Sequence, residues 1–208
     1  MLGWYKRVVV PRLLNSEMGS ARIEEIRKEV IAVVSGEVLE IGVGPGYNIP
    51  LYRGVTKLYA LEPSNELLAI ARYRAADASF PIEYLNCGAE SIPLPNSSVD
   101  TVVSTWTMCS VGDPAQVLRE ISRVLRPRGR FVFVDHGASP RPIRYWAQRI
   151  TTVVTKHFTG NCHYDRKIGE LIRGAGFSII STDHPWESGS PLIYNYRGTA
   201  VRASENRA

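Results

Sequence analysis

Apolar positions along this chain follow two spacings that alternate. Short runs that are apolar almost throughout, "GEVLEIGVG" (36–44), "TKLYALEP" (56–63), "IEYLNCG" (82–88), "VDTVVSTWT" (99–107) and "RFVFVDH" (130–136), read as buried strands. Between them, "SNELLAIARYRAADA" (64–78) and "DPAQVLREISRVLRPRG" (113–129) repeat at helical spacing. The first helix has Ser64 or Asn65 as its cap. The second has Asp113 as cap, Pro114 at its first position, and Pro127 and Gly129 to end it. Before Ser35, "ARIEEIRKEVIAVV" is a helix apolar on one side. After His136 the rhythm breaks for almost thirty residues. A helix then returns in "DRKIGELIRGAGF" (165–177), followed by two closing strands in "FSIISTD" and "LIYNYRGTAV". Strands separated by helices predict an α/β fold: a mostly parallel sheet of seven strands, covered on both faces.

Bulk composition narrows the class. The 208 residues suffice for one buried core and would cramp two domains. Charged residues are 22% and hydrophobic ones 44%, ordinary values for a soluble globular chain. The net charge of +5 is spread out, and no basic stripe interleaved with aromatics marks a nucleic-acid surface. Three cysteines, Cys87, Cys109 and Cys162, have no regular spacing, which argues against a disulfide framework and for a reducing, cytoplasmic setting. No run is long enough to span a membrane and no signal peptide is evident. "WYKRVVVPRLL" reads as a helix folding back over the protein, with peripheral lipid contact left open.

The stretch following the first strand carries glycine at 42, 44 and 46. A phosphate loop would close with Lys-Ser or Lys-Thr, and Tyr47-Asn48 stands there instead. The dinucleotide pattern Gly-x-Gly-x-x-Gly, counted from Gly42, needs glycine where Tyr47 is. Glu40, two residues before Gly42, puts a carboxylate where a pyrophosphate would be repelled and a cationic or zwitterionic ligand would be favoured. Glu62 ends the next strand twenty residues after Gly42, the place from which an acid accepts from both ribose hydroxyls. A nucleoside without phosphate and with positive charge at its far end describes S-adenosylmethionine. The Ala89 amide is placed to read an adenine nitrogen, and the fourth strand delivers Ser104, Thr105 and Trp106 to the same crevice. Trp106 is read as a core aromatic or a pocket wall, its strand-end position favouring the pocket.

Several motifs in order, Glu40-Ile41-Gly42-Val43-Gly44-Pro45-Gly46, Leu61-Glu62-Pro63, Gly88-Ala89-Glu90 with Ile92-Pro93-Leu94, Ser98-Val99-Asp100 and Arg123-Val124-Leu125-Arg126-Pro127-Arg128-Gly129, resemble those of class I S-adenosylmethionine-dependent methyltransferases, in the ubiquinone/menaquinone-biosynthesis-like branch. The resemblance runs from about Val38 to Phe133. It implies a Rossmann-like sheet and S-adenosylmethionine as cofactor, bound by Glu40, Gly42, Gly44, Gly46, Asn48, Glu62, Pro63, Ala89, Glu90, Thr105 and Trp106. The branch usually has an acid for the adenine amino group where this chain has Gly88, which leaves backbone groups or Glu90 for that task. The implied organisation is a single domain over 1–208: a helical arm (1–35), a cofactor-binding half (36–136), an inserted substrate cap (137–164), and a closing helix and strands (165–208).

A second resemblance extends into the cap. "MCSVGDPAQVLREISRVLRP", then "VDH", then "YWAQRITTVVTKHFTGNCH" is similar to the membrane-associated alkyl thiol methyltransferases of animals. It highlights Cys109, Ser110, His136, Trp146, His157, Gly160 and Cys162, and it implies a small lipophilic thiol as methyl acceptor. The long apolar anchor of that group is not seen in this sequence, so integral membrane attachment is not carried over. Candidate catalytic residues are His136, Asp135 and His157, with His136 read either as general base or as a positioning group. Tyr145, Trp146, His157, Phe158 and His163 suit an apolar acceptor pocket with a few polar handles. Cys109, His136, His157, Cys162 and His163 follow no zinc-ligand spacing, so no metal is expected. Rival readings are an O- or C-methyltransferase acting on a quinol, phenol or other small metabolite, an NAD-dependent dehydrogenase, and a non-catalytic cofactor-binding protein. The oligomeric state is left open.

Overall fold

The computed structural model describes residues 19–156, 160–184 and 193–205. Its elements in chain order are α1 (Ala21–Ile31), β1 (Ser35–Ile41), β2 (Gly54–Leu61), α2 (Asn65–Arg74), β3 (Ile82–Leu85), β4 (Val99–Thr105), α3 (Pro114–Val124), β5 (Leu125–His136), α4 (Pro142–Thr155), α5 (Ile168–Gly174), β6 (Phe177–Asp183) and β7 (Asn195–Arg202). Seven strands form one sheet in the order β3-β2-β1-β4-β5-β7-β6. All neighbouring pairs from β3 to β5 are parallel, and β7 runs antiparallel to both β5 and β6. This is the expected Rossmann-like architecture.

Strand periodicity divides the core. Leu39, Ile41, Val102, Phe131 and Phe133 point to the face covered by α3 and α5, meeting Val117, Leu118, Ile121, Ile168 and Ile172. Their neighbours Val38, Val103, Val132 and Val134 point to the opposite face, under Ile26 and Val30 of α1 and Leu68 and Ala71 of α2. Chain order reverses between β1 and β4, so the crevice beyond their C-terminal ends is the place where such sheets bind ligands.

Boundaries shift in understandable ways. Ser64, rather than Asn65, caps α2 by accepting from the Leu67 amide. The helix expected over 113–129 ends at Val124, and Leu125 to Gly129 already belong to β5. Pro127 forbids the helical region to Arg126, and Leu125 instead pairs with Val99. At the start of α3, Asp113 accepts from the Gln116 amide as expected. Asp113→Ala is expected to cost about 1 kcal/mol, lowering the thermal midpoint by about 2–4 °C for a chain of this size, measured by calorimetry.

The cap contains α4, held down by one polar residue. The buried Gln148 accepts from the Ser139 amide and donates to the Gly137 carbonyl. The expectation that Trp146 lines an acceptor pocket is corrected: it is 61% exposed, on an outer face with Ile143, Ile150, Val153 and Val154. Tyr145 lies along a separate groove beside Arg166 and Lys167. His157 and Phe158, and the "WYKRVVVPRLL" arm, lie outside the described residues. Among the described residues, no helix is long and apolar enough to cross a membrane.

Candidate active site

A cavity of about 390 Å³ occupies the crevice where β1 and β4 part, within the range usual for small-molecule sites. Four loops build it, each leaving a parallel strand: Gly42–Pro45 after β1, Glu62 and Pro63 after β2, Gly88–Glu90 after β3, and Trp106–Gly112 after β4.

The loop after β1 needs glycine for two separate reasons. Gly42 has φ +64°, and a Cβ there would run into the Thr107 side chain. Gly46 has φ +83°, and its Cβ would fall 2.9 Å from the Ala71 Cα of α2. The first opens the backbone towards the cavity and the second lets α2 pack close. Gly46 itself does not line the cavity.

Glu62 does line it, and its carboxylate is fixed. One oxygen accepts from the Gly44 amide at 3.2 Å and the other from the Ser64 amide at 2.9 Å. Burial raises its pKa against the pull of these two N–H groups. Each oxygen keeps lone-pair capacity for a ligand donor. Glu90 lines the opposite wall, accepting from the Gly112 amide at 3.0 Å and so tying the β3 loop to the loop before α3. Pro63, Ala89, Thr105 and Trp106 also lie where the sequence placed them, on the cavity wall. Trp106 has φ +52°, uncommon for a bulky residue. Its ring nitrogen donates to Asn195 Oδ1 at 3.0 Å, fixing the indole across the end of the sheet.

Other expectations require correction. Glu40 does not line the cavity. Lying between Leu39 and Ile41, it points to the opposite face of the sheet, the side of Val38, where it is buried. There it accepts from Asn48 Nδ2 at 2.7 Å and Tyr52 Oη at 2.8 Å. Burial raises its carboxyl to about 7, against the opposing effects of the Tyr52 hydroxyl, Arg27 and Asn48. Asn48 is equally interior, donating also to Thr105 Oγ1 at 3.1 Å. Asp135 is no crevice group: fully buried, it accepts from the Met108 and Cys109 amides and anchors the loop after β4. Ser104 is buried within β4.

His136, the candidate base, turns away from the cavity wall. Its Nδ1 lies 3.4 Å from the Cys162 sulfur and 3.9 Å from that of Cys109, and its ring packs by Tyr164. The two sulfurs are 3.3 Å apart. The hydrogen bond between them and the nearby imidazole draw the Cys162 thiol down, while that bond and burial push Cys109 up. Three of the five Cys and His residues whose spacing showed no metal pattern are thus neighbours in space.

Among the cavity residues that were not foreseen, Arg27 is the charged one. Arg27 comes from α1, in the arm, and is buried. It donates to Asn48 Oδ1 at 2.8 Å and to Thr105 Oγ1 at 3.2 Å, and stacks 4.9 Å from the centre of the Trp106 ring. Burial lowers its pKa to about 10, partly offset by Glu40. The only sequence signal was an arginine on the inward stripe of α1, beside Ile26 and Val30.

Comparison with known proteins agrees with this geometry. A family model described as a methyltransferase domain matches residues 39–133. A human thiol S-methyltransferase, TMT1A, is 29% identical over 199 residues, covering 88% of this chain and 80% of that protein. The mouse thiol S-methyltransferase TMT1B is 33% identical over 158 residues, covering 72% of this chain and 64% of the relative. A solved S-adenosylmethionine-dependent methyltransferase from Leishmania major superposes with a TM-score of 0.72 at 17% identity, covering 96% of this chain and 81% of that one.

Proposed function

The chain belongs to the class I S-adenosylmethionine-dependent methyltransferases, and from that premise we propose that it methylates the sulfur of a small, lipophilic alkyl thiol. The observation that carries the acceptor class is the chemistry of the cavity wall. Among the described residues that line it there is no histidine or lysine, and its two carboxylates, Glu62 and Glu90, are already bound to backbone amides. An alcohol is ionised only far above neutral pH and needs a base to become a nucleophile, whereas a thiol is far more acidic than an alcohol (about 8.5 for cysteine) and even a small thiolate fraction is a strong nucleophile. The likeness to thiol S-methyltransferases, reaching well beyond residues 39–133, supports the same choice.

S-adenosylmethionine supplies a sulfonium methyl group, which is electrophilic without metal or covalent help. The residues present fit its parts. Glu62 is fixed with spare lone pairs for ribose hydroxyls, and the Ala89 amide stands where an adenine nitrogen would be read. The Arg27 guanidinium offers the cavity a cation for the amino-acid carboxylate, and Gly42 and Gly44 keep side chains out of the way. Trp106, Thr107, Ser110 and Gly160 form the remaining wall for the acceptor. The acceptor thiol loses its proton to solvent. The wall of Trp106, Thr107, Ser110 and Gly160 would hold the acceptor sulfur in line with the methyl group that the cofactor would supply, the electron pair of the broken bond being left on the cofactor sulfur. Alignment carries the catalysis, and such positioning can supply roughly 7–11 kcal/mol.

The test is transfer of labelled methyl to short alkyl thiols, with quinol, phenol and amine acceptors in parallel. Thiol methylation should dominate. Its kcat/KM should rise about tenfold per pH unit below the thiol's own pKa and level off above it. The pH midpoint should move with the thiol used, as expected when no enzyme base sets it. Equal or faster transfer to a quinol or phenol would replace this reading with O- or C-methylation.

A further inference from the structure

We propose that Cys109, His136 and Cys162 form a three-ligand site for Zn²⁺. The observation is a triangle of ligand atoms supplied by three separate segments: the loop after β4, the last residue of β5 and the cap segment. Its sides are 3.3 Å between the sulfurs, and 3.4 and 3.9 Å from His136 Nδ1 to Cys162 and Cys109. Tetrahedral zinc with its usual Zn–S and Zn–N bonds sets sulfurs about 3.8 Å apart and sulfur and nitrogen about 3.6 Å apart. The triangle matches within about half an ångström on every side. One ion between the three atoms therefore needs only small side-chain adjustments.

The site is also held ready by its surroundings. The Cys109 amide donates to Asp135 at 3.0 Å, fixing Cys109 within the loop after β4. The cap segment is fastened to the same loop: the His163 amide donates to the Cys109 carbonyl at 2.8 Å, and the Asn161 side chain to the Ser110 carbonyl at 2.9 Å. Arg166 adds a bond to the Val111 carbonyl at 2.7 Å. The juxtaposition is thus imposed by hydrogen bonds outside the triangle and does not depend on the sulfurs' own attraction. Two cysteines and one imidazole are a soft to borderline donor set, suited to zinc over magnesium or calcium. Binding would release both thiol protons, and the imidazole would bind through the Nδ1 lone pair with its proton on Nε2. Two thiolates balance the ion's charge, which suits a site where both cysteines are buried. The ion would leave one tetrahedral position open and would fasten the cap beside Ser110 and Gly160, both on the cavity wall.

The competing use of a close cysteine pair is a disulfide between Cys109 and Cys162. It gives no reason for His136 to face both sulfurs, so the geometry favours the metal. The experiment titrates the reduced, full-length protein with Co²⁺ under anaerobic conditions, and measures zinc in the protein as isolated by elemental analysis. Uptake of one equivalent with thiolate-to-cobalt charge-transfer bands and the intense visible bands of a tetrahedral site is expected. Cys109→Ser and Cys162→Ser should each halve the charge-transfer intensity, and Cys87→Ser should leave it unchanged. Zinc should displace the cobalt. The wild-type titration stands even where a variant fails to fold, and it does not depend on the acceptor being a thiol. Failure of the reduced protein to bind either ion overturns the proposal, as do cobalt bands that survive loss of both cysteines. A Cys109–Cys162 disulfide in the isolated protein, with no metal uptake after reduction, assigns the pair to redox chemistry instead.

Discussion

Glu62→Ala is expected to weaken S-adenosylmethionine binding by more than about 100-fold, measured by calorimetric titration. Two hydrogen bonds from ribose hydroxyls to a carboxylate are at stake, each worth about 1.5–3 kcal/mol, and every 1.4 kcal/mol is tenfold in affinity. The substitution also releases the Gly44 and Ser64 amides that Glu62 now holds, so the loss does not stop at the ligand contacts. Glu62→Gln separates the two parts. It keeps the shape and one acceptor, and should fall between wild type and alanine. Turnover at saturating cofactor should change less than affinity does, because the role proposed for Glu62 is at the ribose and not at the methyl. An alanine variant that binds within threefold of wild type would remove Glu62 from the cofactor site, and with it the assignment of the cavity's two ends.

Glu62 was legible because it depends on local facts: a strand, its end, and a fixed distance from Gly42. The same holds for Gly42, Pro63, Ala89 and Trp106, all near the C-terminal ends of parallel strands, where the fold alone directs residues to one crevice. Glu40 shows the limit of that logic. Its closeness to the glycine loop suggested the crevice, but side chains alternate along a strand, and Glu40 belongs to the face of α1 and α2 with Val38. Alternation was available in the sequence. The return of Asn48 and Tyr52 to meet the carboxylate was not, since it depends on the turn at Ile49–Leu51.

Long-range pairings were the hardest to read. Cys109 and Cys162 are separated by 53 positions, and His136 lies between them on another strand. Only the β4–β5 pairing and the descent of the cap onto the loop after β4 bring them together. Spacing rules for zinc describe ligands presented by short local loops, so they miss ligands gathered by sheet order. Arg27 is a similar case: its partners Asn48 and Thr105 lie 21 and 78 positions away.

That arginine carries the second large expectation. Arg27→Met should destabilise the fold more at pH 8.5 than at pH 6. The reason is Glu40, whose carboxyl is raised to about 7 by burial and would be higher without the nearby guanidinium. At pH 6 the Glu40 carboxyl is largely protonated in the folded protein and ionised when unfolded, so unfolding releases a proton and stability falls with rising pH from about 4.5, the ordinary glutamate value, to about 7, where it levels off. Removing Arg27 raises that pKa further, and the added penalty for an ionised, buried carboxylate is felt only above it. Breaking a directly paired buried charge costs roughly 3–5 kcal/mol. Here the charges communicate through Asn48 and Thr105 as well as across space, which places the loss nearer about 2 kcal/mol. In a chain of this length that is a thermal-midpoint drop of about 4–8 °C at pH 8.5, shrinking towards pH 6. Methionine keeps much of the packing against Trp106, so a drop that is the same at both pH values would mean that packing, and not the charge on Glu40, is what Arg27 supplies. Arg27→Met combined with Glu40→Gln decides the point: with no carboxylate to ionise, the double variant should lose the pH dependence and keep only the part due to packing.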